Sequence, residues 1–197
     1  MPRPVRAALV CFIAFWYPAS QAAGLDSYDE AGGNFDAPSI HAVGVLPYAA
    51  ALADFNGDGL PDLAVGNEES DDVAVLLGAA GGTFGAAGFY PAGDGAQGVA
   101  VGDLDGNGTA DFVVANLWDS TLSIRLGAGD GTFGAPQTRA VGANPHTLLL
   151  ADFNGDGDVD IATANGGAGT SVLLNPGNGA FGTPTEYLAG INPRDIA

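Results

Sequence analysis

The chain contains no lysine: its five basic residues are all arginine, set against 23 acidic residues for a formal charge of −18. So acidic a chain repels phosphate backbones and anionic headgroups, which excludes nucleic acid and anionic membrane surfaces as partners. The absence of lysine also excludes a phosphate loop, whose Gly-rich turn ends in that residue. Cys11 is the single cysteine, so no disulfide can form within the chain. There is no GxSxG elbow, and His41 and His146 fall at unrelated places in the repeat described below. No catalytic constellation is read from these residues, and enzymatic activity is not expected. Nor is there an amphipathic helical period of any length, or an apolar run near the roughly 20 residues that span a bilayer.

What is present is glycine, 32 residues of it, with 12 prolines and no Gly-X-Y period, in a chain whose 47% hydrophobic content is enough to bury a core. Many short elements joined by tight turns are therefore expected. The first residues belong to a different pattern. Arg3 and Arg6 precede an apolar run from Ala7 to Tyr17, and Ser20-Gln21-Ala22 offers small residues where a signal peptidase reads. We read residues 1–22 as a secretory signal peptide and 23–197 as the mature domain, secreted or held in the cell envelope, with no membrane insertion after cleavage. A retained anchor is the alternative reading. Val10 before Cys11 argues against lipidation.

The acidic residues are not spread evenly. Asp54 to Asp62 reads DFNGDGLPD, Asp103 to Asp111 reads DLDGNGTAD and Asp152 to Asp160 reads DFNGDGDVD, each starting 49 residues after the last. A second marker recurs at intervals of 49, 49 and 48 residues: GTF at Gly82–Phe84 and Gly131–Phe133, with variants GNF at Gly33–Phe35 and GAF at Gly179–Phe181. Asn67, Asn116 and Asn165 align across the units, as do Gly44, Gly93, Gly142 and Gly190. Repetition organises the chain.

Each unit predicts four short strands. AALA, VAVG and LLLA open directly into the acidic turn; LAVGN, FVVAN and IATAN follow it; VAVLLG, LSIRLG and SVLLN come third; and the more polar GFYPAG, QTRAVG and TEYLAG come last. Four strands per 49 residues predict an all-β fold of four-stranded antiparallel propeller blades, about three and a half repeats of them, with the small first strand innermost. A sandwich of short strands is the alternative, though it gives no reason for the fixed period.

The turns have the chemistry of a hard-cation site. Ca²⁺ takes six to eight oxygens, and a loop with side-chain donors at positions 1, 3, 5 and 9 and a carbonyl at 7 wraps such an ion. The first turn offers Asp54, Asn56, Asp58 and Asp62 with the carbonyl of Leu60; the second Asp103, Asp105, Asn107 and Asp111 with that of Thr109; the third Asp152, Asn154, Asp156 and Asp160 with that of Asp158. Three Ca²⁺ sites are therefore expected, with Ca²⁺ favoured over Mg²⁺ because the cage is all protein oxygen. An EF-hand is excluded, since position 12 is Val65, Val114 or Thr163 where a glutamate is required. A metal-free Asp/Asn-rich turn is the plainer alternative for any one copy.

The unit DFNGDGLPDLAVGN followed by GTFGAA or GTFGAP resembles the FG-GAP repeat, also grouped with VCBS repeats, found in the propeller of integrin α chains. The likeness runs from about Gly33 to Ala197 and departs at Asp36, which stands where a Gly follows Phe in the other units. It implies that partners bind on the face opposite the acidic turns, where NEESDD, NLWDST and NGGAGT connect second to third strands. These loops differ between units, as expected if the turns are scaffold and the loops carry specificity. Trp118, Asp119, Glu68 and Glu69 are the candidate contacts, with Trp118 either touching a partner or packing on the adjacent blade. The expected role is extracellular protein recognition or adhesion; the alternatives are a carbohydrate-binding propeller and a non-catalytic accessory domain of a larger secreted enzyme. Phe35, Phe84 and Phe133 each precede the next turn's first Asp by 19 residues, so Phe181 calls for an Asp at position 200 and a chain that continues.

Overall fold

The computed structural model describes residues 39–167, 169–188 and 196. The expected leader, the GNF variant and the GINPR segment lie outside the described residues. Strands form in every unit, and no helix is found among the described residues. The first unit contributes β1 (Pro47–Ala53), β2 (Asp62–Asn67), β3 (Asp72–Leu76), a short hairpin of β4 (Gly78–Ala79) and β5 (Thr83–Phe84), and β6 (Gly88–Pro91). The second contributes β7 (Ala96–Gly102), β8 (Asp111–Asn116), β9 (Thr121–Arg125) and β10 (Gln137–Ala140). The third contributes β11 (Pro145–Ala151), β12 (Asp160–Asn165), β13 (Gly169–Leu173) and β14 (Thr185–Tyr187).

Three four-stranded sheets result, ordered β1-β2-β3-β6, β7-β8-β9-β10 and β11-β12-β13-β14, with every pairing antiparallel. This is the meander of a propeller blade, one blade per repeat and no closed barrel. β7 packs between β1 and β11, which brings the small first strands together on the inner side. Those strands start earlier than the apolar runs suggested, at Pro47, Ala96 and Pro145, and each carries a register shift near its start. The turn formers there belong to a repeated bulge, which bends the strand without ending it.

β2, β8 and β12, the second strand of each sheet, are buried along their whole length. Val73, Val75 and Ala64 meet Ala96, Phe112 and Val114 between the first and second blades. Val113, Leu122 and Ile124 meet Ile161 and Leu173 between the second and third. Two of the recurring phenylalanines, Phe133 and Phe181, plug these seams. Phe133 stands edge-on to Phe55, Tyr90 and Phe112 at 5.2, 5.0 and 4.6 Å between ring centres, and Phe181 packs into the core shared by the second and third blades. Phe84 covers Leu63, Val65 and Leu76 on the outer face of the first blade. Arg125 stitches the first seam: its Nη1 donates to the Gly134 carbonyl at 2.6 Å, its Nη2 to the Pro91 carbonyl at 2.8 Å, and its guanidinium lies 5.7 Å from the Tyr90 ring centre.

The recurring Gly and Asn are partners. A Cβ at Gly44, Gly93 or Gly142 would fall 2.5, 2.7 or 2.4 Å from the side chain of Asn67, Asn116 or Asn165 respectively. The glycine lets the entering chain pass over the buried amide, and in the second unit Gly93 N–H donates to Asn116 Oδ1 at 3.1 Å. Packing of the inner strands is tighter still. A Cβ on Gly98 of β7 would lie 2.3 Å from the carbonyl oxygen of His146 on β11. Gly98→Ala must therefore push two blades apart, at a cost of about 1–3 kcal/mol, and thermal denaturation should show a melting temperature lowered by several degrees. Gly182→Ala, where an added Cβ meets nothing within 4 Å, should leave it unchanged.

Candidate metal centres and the loop face

Each acidic turn joins the first strand of a blade to the second, and its own amides curl it. Asp54 accepts from Gly57 N–H at 2.8 Å and from Gly59 N–H at 2.7 Å. Asp103 accepts from Asn107 N–H at 3.1 Å and Gly108 N–H at 2.8 Å. Asp152 accepts from Gly155 N–H at 2.7 Å and Gly157 N–H at 2.9 Å. The two glycines of each turn take positive φ, 73° and 80° at Gly57 and Gly59, which a side chain would resist. Positions 3 and 5 always pair one amide with one carboxylate: Asn56 Nδ2 donates to Asp58 at 3.0 Å, Asn107 Nδ2 to Asp105 at 3.0 Å and Asn154 Nδ2 to Asp156 at 2.7 Å. The position-5 oxygen in turn accepts the N–H of position 7, from Leu60, Thr109 and Asp158 at 2.8, 2.7 and 2.9 Å.

The ninth-position acids do more than the sequence suggested. Asp62, Asp111 and Asp160 are fully buried, and both oxygens of each are engaged. Oδ2 accepts the N–H of turn position 2, Phe55, Leu104 or Phe153, at 2.8, 2.7 and 2.9 Å. Oδ1 accepts the N–H of Gly78, Gly127 or Asn175 at 2.6, 2.7 and 2.7 Å, which ties the acidic turn to the loop leaving the third strand. No feature of the sequence other than the fixed spacing from Asp62 to Gly78 and from Asp111 to Gly127 signals this latch.

The donors fit a divalent cation of the Ca²⁺ type. Every one is oxygen, and a carboxylate oxygen keeps further lone-pair positions beyond one hydrogen bond. In the second turn Asp103, Asp105 and Asp111 present ligand oxygens within 4.8 Å of one another, a separation that two Ca²⁺–O bonds of about 2.3–2.6 Å can bridge. Among the described residues this is the one such group of three acidic or histidine side chains. The first and third turns bring three carboxylates to the same fold but put Asn at position 3, so an amide oxygen stands where the second turn has Asp105. Desolvation holds the Asp111 carboxyl above the usual carboxylate range; the Gly127 and Leu104 N–H groups oppose this, and Asp105 and Asp103 add repulsion. Asp152, exposed and held by the Gly157 and Gly155 N–H groups, is shifted downward. A cavity of about 350 Å³ separates the first two turns, with Asp54 and Asp103 in its walls.

The loops at the other end of the blades gather three of the four candidate contacts. Glu68, Glu69 and Trp118 line a cavity of about 220 Å³ between the first and second blades, with Leu46, Asp71 and Asp94. Asp119 instead braces the rim, accepting from Asp94 N–H at 2.8 Å. Trp118 settles between its two readings: it leans on Gly95, where a Cβ would sit 2.3 Å from the indole, yet 59% of it stays exposed. Glu68 accepts from Gln97 Nε2 at 2.8 Å, and Gln97 Oε1 lies 3.1 Å from His146 Nδ1, so one polar chain crosses all three blades.

Among solved structures, a lectin from Agrocybe aegerita, described for specific recognition of non-reducing terminal N-acetylglucosamine, is 26% identical with a TM-score of 0.50 over 70% of this chain. The chain spans 37% of that lectin's length. A Photorhabdus luminescens Tc holotoxin pore chain is 22% identical with a TM-score of 0.43, covering 75% of this chain and 7% of its own. No curated protein matches the chain. The profile of the FG-GAP-like repeat matches residues 54–114 and 104–163, and that of the FG-GAP repeat matches residues 144–183. With these repeats covering more than half of its length, and one four-stranded blade formed by each, the chain belongs to the FG-GAP-like repeat family and folds as β-propeller-type blades.

Proposed function

We propose that the protein is a secreted, non-catalytic recognition module whose blades are braced by Ca²⁺ and whose loop face binds an extracellular protein or glycan. The observation that carries this is the division of labour between the two ends of the blades. At one end three near-identical turns present oxygen donors; at the other the loops differ from unit to unit, and those of the first two blades frame a cavity with an exposed tryptophan. An invariant end suits a structural ion, and a variable end suits specificity. Bound Ca²⁺ would be held by the side chains at positions 1, 3, 5 and 9 and the position-7 carbonyl of each turn, neutralising carboxylates that otherwise repel. Repeats of this family and the absence, among the described residues, of a helix long and apolar enough to cross a membrane are consistent with an exported protein.

The lectin likeness favours a glycan as one class of partner, and the resemblance to integrin propellers favours a protein. A glycan array and a pull-down from extracellular extract, each run with the Ca²⁺-loaded protein and with Trp118→Ala, test the assignment of the binding face. The wild type should retain a partner that Trp118→Ala loses at least ten-fold, in line with an aromatic contact at the centre of a site. A partner held equally by both proteins would place recognition elsewhere.

A further inference from the structure

We propose that the cavity walled by Leu46, Glu68, Glu69, Asp71, Asp94 and Trp118 is a binding site for an organic cation, an ammonium or guanidinium group on an alkyl stem. This deepens the reading of the loop face as the recognition face and rests on it. Trp118 is exposed yet positioned: Gly95, at φ 78°, leaves room for the indole, and Trp118 N–H donates to the Asp94 carbonyl at 3.1 Å. A ring held open to solvent beside four carboxylates offers a cation both the negative π face and opposite charge. Ionised carboxylates only accept hydrogen bonds and an ammonium only donates them. A sugar, whose oxygens also need donors, finds a single side-chain donor in these walls, the indole N–H. A metal ion is the wrong size for this cavity. Among the described residues, the carboxylates that converge within 4.8 Å belong to the second acidic turn and not to this end of the blades.

The next seam is an internal control. Positions 49 residues further on are Gly95, Leu117, Trp118, Ser120, Ala143 and Gly167, with no carboxylate among them. The blades join there all the same. Ser120 Oγ accepts from Asn144 N–H at 3.4 Å, the same latch that Asp71 makes to Gly95 N–H at 2.9 Å. The blade geometry therefore needs an oxygen at that position and no charge. Nor, among the described residues, is there a counter-ion for the cavity. The chain has no lysine, and Arg125 and Arg139 are committed to backbone carbonyls of Gly134, Pro91, Thr138 and Phe181.

The test reads the Trp118 indole N–H signal of the ¹⁵N-labelled protein, assigned with Trp118→Phe; Trp16, the other tryptophan, falls in the segment read as the leader. Acetyl-Ala-Lys-Ala-amide, spermidine, the neutral acetyl-Ala-norleucine-Ala-amide and methyl N-acetylglucosaminide are titrated separately in Ca²⁺ buffer. The lysine peptide should shift the Trp118 signal saturably and the norleucine peptide should not. Glu69→Gln with Asp94→Asn should weaken the lysine peptide about ten-fold, while Glu186→Gln, which removes a charge elsewhere, should not. If the peptide binds more tightly than spermidine, the natural source of the cation is a side chain on a polypeptide; the reverse points to a free polyamine, and either supports the proposal. The proposal is overturned if both cations leave Trp118 unmoved, if the norleucine peptide binds as well, or if the double variant binds as tightly as wild type. A shift of Trp118 by the sugar alone would overturn the cation assignment and leave loop-face recognition standing. If no probe moves Trp118 and Trp118→Ala retains the partner found by pull-down, both readings fall.

Discussion

Removing divalent cations with a chelator is expected to lower the melting temperature steeply, and excess Ca²⁺ to restore it. Each turn gathers three carboxylates, and the third adds Asp158 as a fourth. An ion that binds the folded turn and not the unfolded chain adds about 2.7 kcal/mol at a hundred times its dissociation constant. Three such sites come to about 8 kcal/mol, and a chain of this length shifts by about 2–4 °C per kcal/mol, so the expected change is about 15–30 °C. Asp103→Ala should remove roughly a third of that shift by emptying the second site, because water replaces a first-position carboxylate poorly. Identical melting curves with chelator and with Ca²⁺ would show that the turns are bare Asx-type connections.

The second large effect concerns Asp111, and here the metal is not the cause. Its two oxygens accept the N–H groups of Leu104 and Gly127, both at 2.7 Å, in a site with no solvent exposure. Asp111→Ala strands two buried donors at once. At about 1–3 kcal/mol for each unsatisfied group, and more where the acceptor was charged, the loss should be about 3–5 kcal/mol. Relief of repulsion from Asp105 and Asp103 offsets only a part of this, since those two carboxylates are half-exposed and screened. Measuring both variants in chelator separates the roles. Asp111→Ala should melt far below wild type there, whereas Asp103→Ala should differ little. Equal melting of Asp111→Ala and wild type in chelator would show that the latch does not hold the blade.

These two aspartates mark how far the sequence could be read. The repeat, the four strands per unit and their order were legible because the period fixes register. One strand-forming run per segment suffices when three copies agree. The loop face was legible too, since an antiparallel meander must put alternate connections on opposite ends, and Glu68, Glu69 and Trp118 do meet there. What the sequence left hidden were contacts between segments far apart in the chain. Position 9 reads as a ligand in the turn, and only the fold brings Gly127 to Asp111 to reveal a latch. The Phe of the GTF motif reads as a period marker, and only the stacking of blades sets Phe133 against Phe55, Tyr90 and Phe112. The aligned glycines and asparagines gave no hint that Gly93 is small because Asn116 lies beneath it. Local chemistry is written in adjacent residues, whereas seams between blades are written in pairs that share no local pattern.

Counting bound ions decides whether the three turns are ion sites. Chelex-treated protein equilibrated with Ca²⁺ and then analysed by calorimetric titration should take up three ions per chain, falling to two in Asp103→Ala. A wild-type chain that takes up no Ca²⁺, or an Asp103→Ala chain that takes up as much as wild type, would show that the turns do not hold the ions.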